Sequence, residues 1–288
     1  MTVKSALQKR LVLRAAAPTQ QNASTFGPLA DLAGSWFGGG FNMIAVPDHQ
    51  DNKIFRLIVN ATTESLVFTP ISGPVPNRGS EQDDINIFGM TYLQKVNDAE
   101  THEGIHIEPG IWLNVPSTTD PSQPATIVRQ STIPHGDSVL AQGQASSEPS
   151  APTIQPVSPM PFPVPGQPPL PLGYTDPYLH GSTFPKGFNM SNPNQALVDV
   201  LNAQQKAGLK IVNTTNLIVS TTPVGGIVNI PFVTTNANAT ELDAIFWIET
   251  VQRPNGSQFL QLQYTQKVLL VFDDVVWPHV SVSTLIKG

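Results

Sequence analysis

The chain has 288 residues, a net charge of −6 and only 12% charged residues. Its 15 basic residues form no continuous stripe, so it lacks the electrostatic footprint of a nucleic-acid-binding protein. Apolar residues make up 40% of the chain, but no apolar run approaches the ~20 residues needed to span a bilayer. Cysteine is absent, which excludes disulfides, thiolate nucleophiles and cysteine-ligated zinc.

Residues 1–30 differ from the rest of the chain because four basic residues precede the first acidic residue, Asp31. A basic start without acids is typical either of an unstructured or helical extension or of a transit peptide. Arg14 interrupts the apolar stretch, so the pattern does not predict a secretory signal. We expect a cytoplasmic protein with an N-terminal extension at 1–30 and a single domain at 31–288.

From Leu32 onward, short segments rich in Val, Ile, Thr and aromatic residues alternate with turn residues, a pattern typical of successive β-strands. The predicted strands span 34–46, 54–60, 65–69, 87–95, 104–115, 126–132, 138–142, 209–220, 225–232, 241–252, 258–272 and 276–286. Pro254-Asn-Gly indicates a hairpin, because Asn and Gly accept positive φ. Strands of this number and spacing predict an all-β fold, an antiparallel β-barrel of roughly ten strands.

The stretch 145–193 is a long Pro-rich insertion in this pattern and holds 13 of the 28 prolines. Proline lacks the N–H that a strand ladder needs, so the stretch cannot supply interior strands. We expect 171–193, with its many apolar side chains, to pack on the barrel, and 146–159, rich in Ser and Pro, to be mobile. Asn194–Ala207, between a proline and a glycine, predicts the one clear helix.

The first predicted strand begins with Leu32-Ala-Gly-Ser-Trp-Phe-Gly-Gly-Gly, a tryptophan set among glycines. Glycines allow sharp bends and close backbone approach, so we expect Trp36 to fill the closed end of the barrel. A phosphate-binding glycine loop would need a helix after it, but the residues after Gly40 have a strand pattern.

A second motif, Ile105-His-Ile-Glu-Pro-Gly-Ile-Trp, lies in the middle of the chain. His106 and Glu108 are two residues apart on a predicted strand, so their side chains point to the same face. We expect a β-bulge at Pro109-Gly110, which would re-aim the residues after it. The pair is consistent with a polar contact that stabilises the barrel wall, with a ligand or cofactor contact, or with a metal site.

The last predicted strand contains His279-Val-Ser-Val-Ser, in which His279, Ser281 and Ser283 share one face and two valines share the other. The pattern leaves two interpretations open. His279 is either exposed to solvent or lines a cavity inside the barrel.

In this order the three motifs resemble those of the nitrobindin-like branch of the fatty-acid-binding-protein barrels, which belong to the calycin fold. In that family an early Leu-x-Gly-x-Trp-x-Gly-x-Gly segment opens the barrel, and a Met-His-x-Glu-x-Gly-aromatic strand follows. A late strand carries the histidine that ligates haem iron. The matching segments here begin at Leu32, Ile105 and His279, and the resemblance covers about 32–144 and 209–287.

The resemblance implies a barrel that holds an apolar small molecule, with haem b as the cofactor and His279 as the ligand of the haem iron. Without haem, the sequence indicates no cofactor. Enzymatic activity stays open, since haem-bound members carry out nitrogen-oxide chemistry such as peroxynitrite isomerisation. The residues that we expect to contact the ligand or haem are His279, His106, Glu108, Trp112, Phe41 and Met43.

A second class of function is a mononuclear non-haem metal-dependent enzyme of the oxygenase type. It would use His106, Glu108 and His279 as a set of two histidines and one carboxylate. For either class we expect these three side chains to lie close together and to face the barrel cavity. The expected partner is an apolar small molecule, with no nucleic acid and no membrane span, and the sequence carries no signal for an oligomeric state.

Overall fold

A computed structural model of the protein describes residues 25–181 and 184–288. Its strands are β1 (Gly34–Asp48), β2 (Lys53–Pro70), β3 (Val75–Asn77), β4 (Ile85–Asp98), β5 (Gly104–Val115), β6 (Thr118–Thr119), β7 (Ser122–Gln123), β8 (Thr126–Ile133), β9 (Asp137–Glu148), β10 (Phe162–Pro163), β11 (Lys210–Asn229), β12 (Asn238–Gln252), β13 (Gln258–Phe272) and β14 (Val275–Lys287). The ten strands other than β3, β6, β7 and β10 pair antiparallel, each with the next of the ten along the chain, and β10 and β3 extend this sheet by pairing with β14 and β4. Since β14 also pairs with β1, the ten strands close into a barrel, and the predicted fold class is confirmed.

The described helices are few and mostly short. They are a 3-10 helix at Gly27–Leu32 and the α-helices α1 (Asp176–His180), α2 (Gln195–Lys206) and α3 (Pro231–Asn236). Helix α2 confirms the helix predicted at Asn194–Ala207. Within the described part of the chain, every helix is too short or too polar to cross a bilayer.

Two pairs of predicted strands are each one continuous strand. The predicted strands 54–60 and 65–69 are both part of β2. The predicted strands 209–220 and 225–232 belong to β11, in which the glycines at 225 and 226 are accommodated by a register shift against β9. Strand β11 ends at Asn229 because a proline follows two residues later and starts α3.

The 3-10 helix closes one end of the barrel. Leu29 and Leu32 are fully buried and pack in the barrel core with Trp36, whose Nε1 donates a hydrogen bond to the carbonyl oxygen of Leu32 at 2.7 Å. A Cβ added at Gly40 would lie 1.9 Å from the carbonyl oxygen of Val282, so glycine is needed where β14 approaches β1. The predicted role of Trp36 at the closed end is confirmed.

The N-terminal extension predicted at 1–30 falls mostly on residues 1–24, which lie outside the described residues. The remainder belongs to the barrel, because the 3-10 helix begins at Gly27 and Leu29 is part of the core. The folded barrel therefore starts a few residues earlier than the predicted boundary at residue 31.

The Pro-rich insertion, which contains α1, covers one outer face of the barrel. The buried residues there form an outer apolar cluster of Met43, Ala45, Tyr178, Leu197, Trp247, Phe272, Val275, Trp277, Val280 and Val282. Trp277 of β14 lies in the centre of this apolar cluster, with its ring centroid 5.0 Å from that of Phe272 and 5.8 Å from that of Tyr174 in the insertion. Tyr178 of α1 is buried in the same cluster. These contacts agree with the expectation that 171–193 packs on the barrel.

The first half of the insertion is packed as well, contrary to the expectation of mobility for 146–159. Residues 146–148 belong to the end of β9 and pair with β11. Further on, Ile154 and Val157 pack against the outer apolar cluster, and the Val157 N–H donates to Asn192 Oδ1 at 3.1 Å. The overall composition of this segment does not predict whether it is ordered, because a few well-spaced apolar side chains are enough to anchor a proline-rich segment.

Asn194, at the N-terminus of α2, connects the insertion to the barrel. Its Nδ2 donates to the Gln155 carbonyl oxygen at 2.7 Å, and its Oδ1 accepts from Thr265 Oγ1 at 2.6 Å. Both partners would lose a hydrogen bond in Asn194→Ala, and the bond from Thr265 is buried. We expect this variant to lower the free energy of unfolding by about 1–3 kcal/mol and to speed proteolytic cleavage within 149–163.

Urea unfolding and limited proteolysis measure the two effects. Asn202 is exposed on the same helix and provides the matched control, since Asn202→Ala removes the same side chain without a buried partner. Equal losses of stability in the two variants would show that Asn194 does not anchor the insertion.

Candidate functional site

The barrel holds a cavity of about 560 Å³ at the end away from the 3-10 helix. Its walls come from the last part of β1, the first part of β2 and the first part of β14, whereas the opposite ends of these strands surround Trp36. Helix α3 contributes Phe232 and Val233 to the rim. The cavity therefore lies inside the barrel and opens beside α3.

Most of the cavity wall is aliphatic. Representative lining residues are Ile44, Val46, Ile58, Val96, Val268 and Leu270. The polar side chains that line the cavity come from seven strands, from the turn between β8 and β9 and from α3. A cavity of a few hundred Å³ with mostly apolar walls and a few polar groups is typical of a binding site for a small molecule.

The polar side wall consists of His279, Asn42 and Ser281. His279 Nε2 lies 2.7 Å from Asn42 Oδ1, and Ser281 Oγ donates to the same oxygen at 3.0 Å. Because Asn42 Oδ1 can only accept, His279 Nε2 carries the proton and donates it. Burial, together with the nearby His106 and His135, lowers the pKa of His279 to about 3, so the imidazole is neutral at physiological pH.

The rim carries two further histidines and a carboxylate. The rings of His106 and His135 have centroids 6.4 Å apart, and both side chains line the cavity together with Asp137. Burial raises the pKa of Asp137, while the charge of His135 opposes this shift. His106 Nε2 also lies 3.2 Å from Glu108 Oε2, which connects the rim to the floor.

A buried ion pair lies below the cavity floor. Arg129 Nη2 donates to Glu108 Oε1 at 2.6 Å, Arg129 Nε donates to the Tyr92 hydroxyl at 3.0 Å, and Tyr92 in turn donates to Glu108. Burial by itself would raise the pKa of Glu108, but the guanidinium and the bond from His106 hold that pKa well below its usual range. Glu108 is therefore an ionised carboxylate with its charge balanced by Arg129.

A second buried carboxyl group lies beside this pair. Glu64 accepts hydrogen bonds from Gln94 Nε2 at 2.8 Å and from the Tyr264 hydroxyl at 2.8 Å. Gln94 Nε2 also donates to the Tyr264 hydroxyl at 3.0 Å. Burial raises the pKa of Glu64, although these donors and His106 counteract the shift. The cavity floor is thus built on two hydrogen-bonded networks, each organised around one glutamate.

The structure places the three residues of the predicted site at different depths. His106 and His279 line the cavity, whereas Glu108 lies beneath the floor and contacts His106. His279 bonds to Asn42 and Ser281 and makes no hydrogen bond with the other two. Of the two interpretations left open for His279, the structure shows the one in which it lines the cavity.

The other three residues predicted to contact a ligand have different surroundings. Phe41 borders the cavity, but its ring packs against Phe188 of the insertion with centroids 5.4 Å apart. Met43 is fully buried in the outer apolar cluster, and Trp112 is buried in the core near the closed end. Neither side chain reaches the cavity, since alternation along β1 turns Met43 outward and Trp112 lies too far along β5.

The bulge expected at Pro109-Gly110 is not present, because both residues pair in register with β4. The irregularity lies earlier in the strand, between the pairs of His106 and Gly104. Pairing of β5 with β8 begins only at Gly110, so the missing N–H of Pro109 costs no ladder bond to that strand. A Cβ at Gly110 would lie 2.4 Å from the Tyr92 ring, so glycine leaves room for this ring above β5.

Several site residues did not stand out in the sequence. Arg129 had a usable signal, because it is the only charged residue in the predicted strand 126–132 and shares a face with Ile127. Asn42 had a weaker signal, since an uncharged polar residue within a strand is less unusual than a charged one. Gln94 and Gln266 had none, because their roles depend on which strands face each other across the barrel.

Comparison with known proteins adds little. No protein-family model matches the chain. No curated protein matches it. Among solved structures, the crystal structure of Rv2717c from M. tuberculosis matches with a TM-score of 0.46 and 16% sequence identity, over 94% of this chain and 98% of that chain. A similarity at this level carries no information about function.

Proposed function

We propose that the protein binds an apolar small molecule in the barrel cavity. The observation that carries this proposal is a cavity of about 560 Å³ whose wall is mainly aliphatic and whose polar groups are confined to a few positions. Sites for small molecules have this composition, because apolar walls supply affinity and a few polar groups fix the orientation. The resemblance to nitrobindin-like barrels supports the same class of function.

Haem is the ligand that the resemblance implies, and the residues present do not fit it as they are arranged. Iron ligation needs an imidazole nitrogen with a free lone pair. His279 is neutral, as a ligand must be, but its Nε2 donates a proton to Asn42 Oδ1, which Ser281 also binds. We therefore propose an apolar ligand without assigning an iron to His279.

The alternative of a mononuclear metal enzyme receives no support from the geometry. Glu108 is bound by Arg129, Tyr92 and His106, so its oxygens are already engaged. In the described ranges 25–181 and 184–288, no three His, Asp or Glu side chains are grouped as metal ligands would be. We propose a binding protein and assign no catalytic residue.

Fluorescence titration with N-phenyl-1-naphthylamine tests the proposal. This dye is uncharged, and its emission rises in an apolar environment. We expect saturable binding to the wild-type protein and at least about tenfold weaker binding to Ile58→Trp, because the larger side chain fills part of the cavity.

Val67→Trp is the matched control, since Val67 lies on the same strand but is exposed on the outside of the barrel. It should bind the dye as the wild type does. Equal binding to all three proteins would place the dye outside the cavity and contradict the proposal. A Soret band in the purified protein that is lost in His279→Ala would identify haem as the ligand instead.

A further inference from the structure

The cavity floor presents two amide side chains, Gln94 and Gln266, which come from strands on different sides of the barrel. Each is held by one of the buried networks. Gln94 Nε2 donates to Glu64 and to the Tyr264 hydroxyl, and Gln266 Oε1 accepts from Arg129 Nη1 at 2.6 Å. The floor is therefore part of the ionic network beneath it.

These bonds fix which way each amide is turned. A guanidinium only donates, so the atom of Gln266 that meets Arg129 must be the carbonyl oxygen. The Tyr264 hydroxyl donates to Glu64 and accepts from Gln94, so the atom of Gln94 that meets both must be the amide nitrogen. The other atom of each amide, Gln94 Oε1 and Gln266 Nε2, has no hydrogen-bond partner among the described residues. The floor thus offers one acceptor and one donor to a ligand.

The charges at the cavity floor offer nothing to an anion, since the rim histidines His106 and His135 lie away from it. Among the residues described, no lysine or arginine lines the cavity. Arg129 beneath the floor is paired with Glu108 at 2.6 Å, and a second carboxyl group, Glu64, lies beside it. His279 on the wall is neutral. An anionic group at the floor would meet one guanidinium, which Glu108 already neutralises, and the second carboxyl group, Glu64.

We infer that the ligand is an uncharged apolar molecule whose buried end carries a group that both donates and accepts a hydrogen bond, such as a hydroxyl or an amide. This inference is based on the proposed binding function and adds the chemistry of the ligand to it. The donor of such a group would pair with Gln94 Oε1, and its acceptor would pair with Gln266 Nε2. A carboxylate would face the Gln94 oxygen and would be buried without a counter-ion, which is strongly unfavourable.

Displacement of N-phenyl-1-naphthylamine by decan-1-ol and by decanoate tests the inference. The two compounds have the same chain and differ in charge at one end. At pH 8, above the range in which histidines ordinarily titrate, we expect decan-1-ol to bind at least about tenfold more tightly than decanoate. Equal binding, or tighter binding of decanoate, would overturn the inference and leave the proposed function intact. If the dye itself fails to bind, the proposed function fails.

Glu108→Gln extends the test by leaving the Arg129 charge without its partner. We expect decanoate to bind this variant at least about tenfold more tightly than it binds the wild type, with little change for decan-1-ol. Glu100→Gln removes the same charge from an exposed position and should leave both affinities unchanged. A wild-type affinity for decanoate in Glu108→Gln would overturn the assigned role of the ion pair. If Glu108→Gln does not fold, the comparison of decan-1-ol with decanoate in the wild-type protein is still a sufficient test.

Discussion

Replacing Arg129 with methionine is expected to lower the free energy of unfolding by about 3–5 kcal/mol, because it leaves a buried carboxylate without its partner. Arg129 and Glu108 are both almost completely buried, and the guanidinium also donates to Tyr92 and Gln266. Methionine has a similar length and fills much of the same volume, so the loss arises from charge and hydrogen bonding more than from packing. Urea unfolding monitored by tryptophan fluorescence measures the change.

The matched control is the ion pair of Arg78 and Asp84, which is exposed. Arg78→Met should change the free energy of unfolding by less than about 1 kcal/mol, since solvent screens an exposed pair. In the double variant Arg129→Met with Glu108→Gln, much of the lost stability should return, because no unpaired charge remains. If Arg129→Met costs no more than Arg78→Met, the buried pair is not a stabilising element of the floor.

The barrel could be predicted from the sequence because strand alternation is a local property. In β13, alternation places Leu262 and Tyr264 on one face, and both lie inside the barrel. It places Gln261 and Gln263 on the opposite face, where polar residues indicate contact with water, yet both are fully buried on the outside of the barrel. Alternation shows which residues share a face. It does not show that α2 and the insertion pack over the outer face, because that packing does not follow from any local sequence pattern.

The candidate site divides in the same way. His106 and Glu108 are neighbours on one face of one strand, so their contact could be predicted. The contacts of Arg129 with Gln266 and of Gln94 with Tyr264 cross the barrel interior between strands that are not adjacent. Such contacts depend on the tilt and register of the closed sheet, and these are set by many weak pairings together.

Glu249 is a buried carboxyl group that has no cationic partner among the described residues. It lies on the outside of β12, where Gln261 Nε2 donates to its Oε2 and Gln204 of α2 bonds in turn to Gln261. Its Oε1 is buried without a hydrogen-bond partner in the described part of the chain. Burial raises the pKa of Glu249 to about 8, and the bond from Gln261 offsets only part of this shift. The folded protein therefore keeps a proton here that the unfolded chain releases near its ordinary pKa of 4.5.

Replacing Glu249 with glutamine should stabilise the protein at neutral pH, on the order of 3 kcal/mol at pH 7. Folding takes up a proton at Glu249 between pH 4.5 and about 8, so the wild type loses about 1.4 kcal/mol per pH unit across this window. Glutamine keeps the hydrogen-bonding shape without the proton. The two proteins should be equally stable below pH 4.5, and their free energies of unfolding should diverge as the pH rises. Urea unfolding across this pH range measures the difference.

Glu100→Gln, at an exposed position, is the control and should follow the wild-type curve. Parallel curves for the wild type and Glu249→Gln would show that Glu249 titrates as an ordinary carboxyl group.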